Sequence, residues 1–593
     1  MGRAECEGIF SYFTTAEACT LRLVCEQMRS RVAAFPWADT ETRVKGSVSC
    51  WRKCFPHATK AAISRKKNVV DADFVYFEGL HTLIMERCCR LKGLTNNAFV
   101  HLKGVHTLNM SGCTLAVITD DAFVHLEGIH TLNLSQCYKA VITDAAFVHL
   151  KGIHTLNVSK CRLSGITSAA FANLKGVHTL DVSFSHITDA AFVHLKGIHT
   201  LNMAGCGNSG ITNEAFAHLK GIHTLDMSHF TRTVITDAAY ANLKGIHTLN
   251  MSWCDQAGIT NDAFSNFKGI HTLNIKRLCY AAGITSAAFV HLKGIHTLIM
   301  SECYLEGITD DAFVHLKGIH TFDFSGCHSS DITNDAFGNL KGIHTLNMSG
   351  CTQVGITDAA FVHLKGVHTL NMSYCSQTGI TNDAFIHLKG IHTLVMSGCH
   401  QAGITDAAFV HLEGVHTLNM SACRQVSITN DAFAHLKGIH TLSMAHCTQA
   451  GITNDAFCYL KGIRKLHKSR CNQASITNDA FVHLKGIHTL DMSHCTQVDI
   501  TDTAFVHLKG IHTLNMSGCT QAGITDDAFV HLTGIQTLDM SHCRQAGITN
   551  RVFSYLKGIH TLNINKCSRE GITEAHRQLL RNVVPDLIET VFN

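Results

Sequence analysis

The sequence has no run of about 18 apolar residues, so it offers no candidate membrane span. It is poor in proline and large aromatics, with 3 Pro, 3 Trp and 9 Tyr in 593 residues, and only 16% of it is charged. Lys and Arg number 49 against 45 Asp and Glu, so no strong charge of either sign points to a partner. It contains no P-loop, G-x-S-x-G, H-E-x-x-H or Rossmann glycine motif, so neither an enzyme nor a cofactor is expected. The stretch Met1 to Phe13 carries Glu5 and Glu7 and has no long apolar segment, which does not read as a secretory signal. The 26 Cys are therefore read as reduced thiols in the cytoplasm or nucleus.

What is present is repetition. A hydrophobic content of 46% is too high for disorder. A compact domain seldom exceeds about 300 residues, so a chain of this length is several domains or an elongated array. The string G-[IV]-H-T-L recurs from Gly79 to Leu562, and its His serves as an anchor. Anchors fall at His81 and His106, then at a step of 24 residues almost throughout, to His560. Arg464 and Gln536 hold the anchor place in two copies, which makes 21 in all.

One unit, Ile153 to Gly176, shows the logic. Ile153, Leu156, Val158 and Cys161 follow the spacing L-x-x-L-x-L-x-x-C, with Leu156 and Val158 alternating as strand residues do. After a loop over Arg162 to Gly165, Ile166-Thr167 leads into a short helix over Ala169 to Lys175, with Thr167 or Ser168 as N-cap and Gly176 as the stop. One unit cannot bury its apolar side chains alone, but stacked neighbours can. This pattern resembles the leucine-rich repeat family, most closely its cysteine-containing subclass. The resemblance implies an α/β solenoid, a horseshoe of about 21 units with a parallel sheet on its concave side and short helices on its convex side. Residues 69–572 would form the solenoid, with a helical C-terminal cap over 573–593 ending in a degenerate strand at Pro585-Asp586-Leu587.

Eighteen units place a Cys seven residues after the anchor, from Cys88 to Cys567. Seven extended residues separate it from the anchor His by about 20 Å, too far to share a zinc ion. The Cys column therefore reads as small buried hydrophobes with a weak S–H donor. A second His column, as in His101, His149, His363 and His507, is exchanged freely for Asn or Tyr, which suggests an exposed rim. The anchor imidazoles of adjacent units would lie about 5 Å apart at another rim. Metal binding by that stack is the weaker alternative to a hydrogen-bonding ladder copied by duplication.

In leucine-rich repeats the concave face usually binds a protein partner. Here its positions are nearly monotonous, and the informative ones lie six residues after the anchor: His229, Trp253, Arg277, Glu302, Tyr374, His446, Arg470, His494 and His542. The copy beginning at Gly462 reads G-I-R-K-L-H-K-S-R-C. Arg464, Lys465, His467 and Arg470 would face outward and, with His446 and His494, make a basic spot suited to an acidic or phosphorylated segment. Lys468 takes a normally apolar inward place. Residues 1–68 carry 12 Lys/Arg and 6 Asp/Glu, a net of +6, which leaves −2 for the remainder. A slightly acidic array argues against nucleic acid as a partner.

Residues 1–68 lie outside the repeat. Glu7 to Phe13 and Glu17 to Val32 read as helices. I-F-S-Y-F at Ile9 to Phe13, L-R-L-V-C-E-Q-M-R at Leu21 to Arg29, and then Trp37, resemble an F-box over residues 1–40. The Leu-Pro that usually opens the motif is missing, and Met28 stands where Trp is usual. Followed by leucine-rich repeats, this resemblance implies the substrate receptor of a cullin–RING ubiquitin ligase. Ile9, Phe10, Phe13, Leu21, Val24 and Trp37 would then contact the ligase's adaptor. Residues 41–68, with the basic run Arg65-Lys66-Lys67, read as a linker or N-terminal cap. The alternative is an interaction scaffold that recruits no ligase.

Overall fold

The computed structural model describes residues 9–588 apart from 45, 67–68, 89–92, 115–116, 138–140, 162–164, 208–209, 232–234, 256–257, 279–282, 304–306, 568–570 and 585. Glu7, Lys67, most of the loop expected over 162–165, Pro585 and the last residues of the expected C-terminal cap lie outside these. The chain divides into two units, Met1–Leu292 and Lys293–Asn593.

In the first unit, the described residues form ten short parallel strands, from β1 (Lys60–Ala62) to β10 (Thr272–Asn274). Each strand pairs with the next in sequence, and from the second strand (Thr82–Ile84) onward Leu lies opposite Leu and Thr opposite Thr. In the second unit the strands run from β11 (Thr297–Ile299) to β23 (Asp586–Ile588) with the same pairing, Phe322 replacing a Leu and Lys465 and Asp586 each replacing a Thr. Each unit is thus a leucine-rich-repeat stack. The strand is only three residues long because Thr and Asn face outward around a single buried Leu, as in Thr155, Leu156 and Asn157. The expected short helix opens with an α turn in most repeats, as in Asp144–Phe147, and is 3-10 throughout in others, as in Ser168–Leu174. Seven residues give too few turns to favour α over 3-10 geometry.

The Thr-Asp or Thr-Asn step at the start of that turn does more than cap it. The Asp144 carboxylate accepts from both the amide and the hydroxyl of Thr167 in the next repeat, at 2.7 and 2.6 Å. Where Asn stands instead, Asn213 Oδ1 accepts from the Thr236 amide at 3.0 Å while its Nδ2 donates to the Thr236 hydroxyl at 2.8 Å. A hydroxyl both donates and accepts, so Asp and Asn are interchangeable at this position. The buried Cys column also bonds between repeats. Cys137 Sγ donates to the Met110 carbonyl at 3.2 Å, and burial pushes its thiol up to about 12. The second unit adds a buried Gln two residues after its Cys: Gln401 Nε2 donates to the Cys375 carbonyl at 2.9 Å and Gln449 Nε2 to the Cys423 carbonyl at 2.8 Å.

The ends differ from the expected boundaries. Helix α1 (Thr15–Leu21) carries a capping box between Thr14 and Glu17, and α2 (Glu26–Ala34) follows it. The single helix expected over Glu17 to Val32 is broken because Cys25 is extended (φ −161°), its sulfur accepting from the Met28 amide. Beyond α3 (Val48–Cys54), β1 pairs with the strand Thr82–Ile84, so the sheet begins nine residues before Val69, within the expected linker. An aromatic chain runs Phe10, Phe35, Trp37, Phe55, with ring separations of 5.5, 4.8 and 5.7 Å. At the far end, the helix Glu574–Val583 supplies Arg577, whose buried guanidinium donates to the carbonyls of Ile564, Cys567 and Ile572.

Candidate interaction surface

The sheet face is built from three outward positions per repeat: Thr and Asn in the strand, and a residue at the turn that ends it. That last position, six after the anchor, has φ between about +50° and +70° in nearly every repeat. It is Gly at Gly112, Gly205, Gly326, Gly350, Gly398 and Gly518, and a side-chain-bearing residue elsewhere. A left-handed conformation disfavours any Cβ. His229, Trp253, Arg277, Tyr374, His446, Arg470 and His494, picked from the sequence for their variability, all sit in it. The recurring Gly was the available sequence signal for this backbone.

In the first unit these side chains form one continuous series. Lys160 Nζ lies 5.1 Å over the Phe184 ring. Phe184 leans across Gly205, where an added Cβ would fall 2.5 Å from the ring, and reaches His229 at 6.1 Å. His229 stacks on Trp253 at 5.6 Å with an 18° tilt, and the Arg277 guanidinium lies 4.2 Å over the indole. Phe184 is 50% exposed and Trp253 40% exposed, so this ladder presents itself to solvent. Arg65 and Arg87 occupy the same turn position nearer the N-terminus and border a cleft of about 700 Å³ that Arg43, Glu41 and Glu86 also line.

The second unit holds the other group. Arg464, Lys465, Arg470, His446 and His494 are exposed, whereas His467 is half-buried, 3.9 Å from Asp491. Burial acts to raise the Asp491 carboxyl, but hydrogen bonds from His467 and Ser493 outweigh it and hold the group below its ordinary value. Lys468 is fully buried, its Nζ 3.5 Å from Cys495 Sγ.

The anchor imidazoles stack at 4.4–4.6 Å with planes 10–17° apart, from His81 to His271 and again from His296 to His440. Each Nδ1 meets the hydroxyl of the following Thr, as His154 does Thr155 at 3.1 Å. Near-parallel rings point their nitrogens side by side instead of converging them. Among the described residues no group of three or more His, Cys, Asp or Glu could hold a metal ion. The second His column is half-buried, not exposed: His101 and His149 bond Glu78 and Glu127 of the preceding repeat at 2.6 and 2.9 Å. No helix among the described residues is long and apolar enough to cross a membrane.

The N-terminal residues divide. Phe10 and Trp37 are 3% and 1% exposed, and Trp37 Nε1 donates to the Val32 carbonyl at 2.7 Å, so these rings are the core of the segment. Phe13 and Leu21 are half-buried; Ile9 and Val24 are exposed, as are Tyr12 and Leu23, which the sequence did not single out.

The BspA-type leucine-rich repeat model matches the sequence over residues 74–199, 177–283, 257–392, 329–464 and 450–574. The chain belongs to this family. No curated protein matches it. Among solved structures, TLR13 in its complex with ssRNA13 shares 18% identity, with 85% of this chain and 80% of that one covered and a TM-score of 0.57. Toll in the Toll–Spätzle complex of Drosophila shares 14%, covering 84% and 66%, with a TM-score of 0.47. At 18% identity the TLR13 likeness is one of fold. The expected exclusion of nucleic acid does not stand. It averaged charge over the whole array, whereas the first unit gathers Arg65, Arg87, Lys160 and Arg277 onto one column with no acidic residue at the equivalent turns.

Proposed function

We propose that this protein is a non-catalytic recognition subunit. Its N-terminal helices dock a ubiquitin-ligase adaptor, and its sheet face holds the target. The observation that carries this reading is an unpartnered apolar set on a helical segment whose own core is already closed. Ile9, Tyr12, Leu23 and Val24 are 39%, 89%, 81% and 69% exposed, while Phe10, Phe35 and Trp37 pack on one another beneath. Large apolar side chains exposed on a segment with a closed core mark interaction sites. A cleft of about 380 Å³ lined by Phe10, Tyr12, Phe13, Phe35, Pro36 and Trp37 adds a receiving surface. On the second unit, Arg464, Lys465 and Arg470 provide charge for an acidic or phosphorylated target segment. A reducing cytoplasmic or nuclear setting accords with the free thiols of the described residues.

The test is recovery of adaptor and cullin on the immobilised full chain. Wild type should retain both, and Leu23→Asp plus Val24→Asp should lose them without lowering Tm. Failure of wild type to retain either would leave a scaffold without a ubiquitin role. Equal retention by the double variant would remove this surface from the interaction.

A further inference from the structure

We propose that the turn column of the first unit is a binding site for single-stranded nucleic acid, independent of any ligase role. Three observations on these residues converge. The column's side chains, Arg65, Arg87, Gln136, Lys160, Phe184, His229, Trp253 and Arg277, are cationic, aromatic or neutral throughout. They emerge from equivalent backbone positions on successive strands, so they form a single track about 40 Å long at the usual strand spacing. Along it cations and rings are in contact, Lys160 over Phe184, His229 stacked on Trp253 and Arg277 over the same indole, so a base would stack by taking the place of Lys160 or Arg277 as these turn to the phosphates. Binding of single strands takes a positive track for the phosphates and aromatic rings for the bases. A duplex would keep its bases from such rings.

The neighbouring carboxylates keep their charge, but they lie outside the turn column and each is tied to an Asn. Asp181 accepts from Asn157 Nδ2 at 3.1 Å and Asp226 from Asn250 Nδ2 at 2.9 Å. Glu86, at the cleft beside Arg65 and Arg87, accepts from Asn109 Nδ2 at 2.7 Å. The conformation points the same way. Backbone strain at side-chain-bearing residues concentrates at functional sites. Gly serves at Gly112 and Gly205, so the fold does not demand a side chain at this turn. The series closes across Gly205 because the missing side chain leaves room for Phe184 to lie over it. An acidic peptide would draw off the cations but would supply no base to replace Lys160 over Phe184 or Arg277 over Trp253.

The experiment titrates the full chain with fluorescein-labelled oligothymidylate at low salt, following anisotropy and intrinsic tryptophan emission. Trp37 and Trp51 are 1% and 8% exposed against 40% for Trp253, so Trp253 is the indole whose emission a bound strand reports. We expect binding with quenched emission, weakening with salt by roughly 0.7 in log–log slope for each phosphate neutralised. Trp253→Ala should lower affinity about 5- to 100-fold, the range of one lost base stack. Lys160→Glu with Arg277→Glu should lower both the affinity and the salt slope. The circular dichroism spectrum should be unchanged in each variant. Absence of binding at low salt would overturn the proposal. So would binding indifferent to these substitutions, or poly-glutamate binding with equal affinity and equal sensitivity to Trp253→Ala. The latter would assign the track to acidic protein segments. The adaptor experiment uses a different surface, so either reading can fail alone.

Discussion

The repeats up to Leu292 and those from Lys293 onward share a backbone and a buried core, and differ in what they add to it. In the second unit the additions point inward. Gln353, Gln401, Gln449, Gln473, Gln497, Gln521 and Gln545 are buried, each donating to the carbonyl of an earlier Cys. Its turn column begins with Glu302 and is frequently Gly. In the first unit the position two after the Cys is Leu115, Lys139 or Leu163 in successive copies, and the additions that stand out face solvent: Lys160, Phe184, His229, Trp253, Arg277. A duplicated array thus separates two tasks. Columns kept uniform hold neighbours together, and the column that drifts carries the proposed ligand surface.

This contrast can be broken most forcefully in the core, where the units should not differ. Leu156→Ala and Leu394→Ala each empty a fully buried strand position and should each cost about 2–5 kcal/mol in denaturant unfolding. A large cost in one unit alone would show that the cores are not equivalent. Lys468→Met, which restores the apolar residue of the other repeats, should stabilise the second unit by about 2 kcal/mol through removal of a buried ammonium with only sulfur and the Phe481 ring beside it. Hydrogen exchange around residues 465–495 would show the gain as slower opening.

Acid should then discriminate between the units. Desolvation, followed by the charge of stacked neighbours, holds His130, His178, His320 and His368 below the ordinary imidazole value. The unfolded chain therefore takes up protons first as pH falls below about 6.5. Stability present above that pH is lost on the way down. In the second unit the cations Arg464 and Lys465, which interrupt the column, hold His440 and His488 down as well, so that unit should open at the higher pH. Equal protection in both units from pH 7.5 to 5 would contradict this. At high pH the sign reverses: burial raises Cys137, Cys254, Cys375 and Cys423 to about 12, so unfolding is favoured as pH climbs beyond about 9. The smallest effect is the most specific. Trp253→Gly should raise stability by about 1 kcal/mol through release of the left-handed strain while lowering oligonucleotide affinity as Trp253→Ala does. Gly398→Ala, which brings a Cβ against the Tyr374 ring, should lower stability.

The period, the inward Leu, Phe and Cys, and the neighbouring imidazoles at about 5 Å were legible because each depends on spacing alone. The turn geometry was not, although Gly112 and Gly205 among Arg, Lys and Trp carried its trace. The Asp144–Thr167 bond joins residues 23 apart, and no local pattern reveals that a helix-start Asp is also the next repeat's cap. Phe10 and Trp37 matched an interface motif, yet both are buried, because a small helical segment needs its largest rings for its own core. The ladder Lys160–Phe184–His229–Trp253–Arg277 was out of reach for a related reason. Its consecutive members are 24 or 45 residues apart, and only the strand register brings them into contact.

The central claim, that the variable turn column of the first unit is the ligand-selecting surface, meets its most direct test in hydrogen exchange of the full chain with and without oligothymidylate at low salt. The account predicts slowed exchange at the turns bearing Lys160, Phe184, His229, Trp253 and Arg277, with the second unit unchanged. Protection spread evenly over both units, or confined to the second, would contradict it.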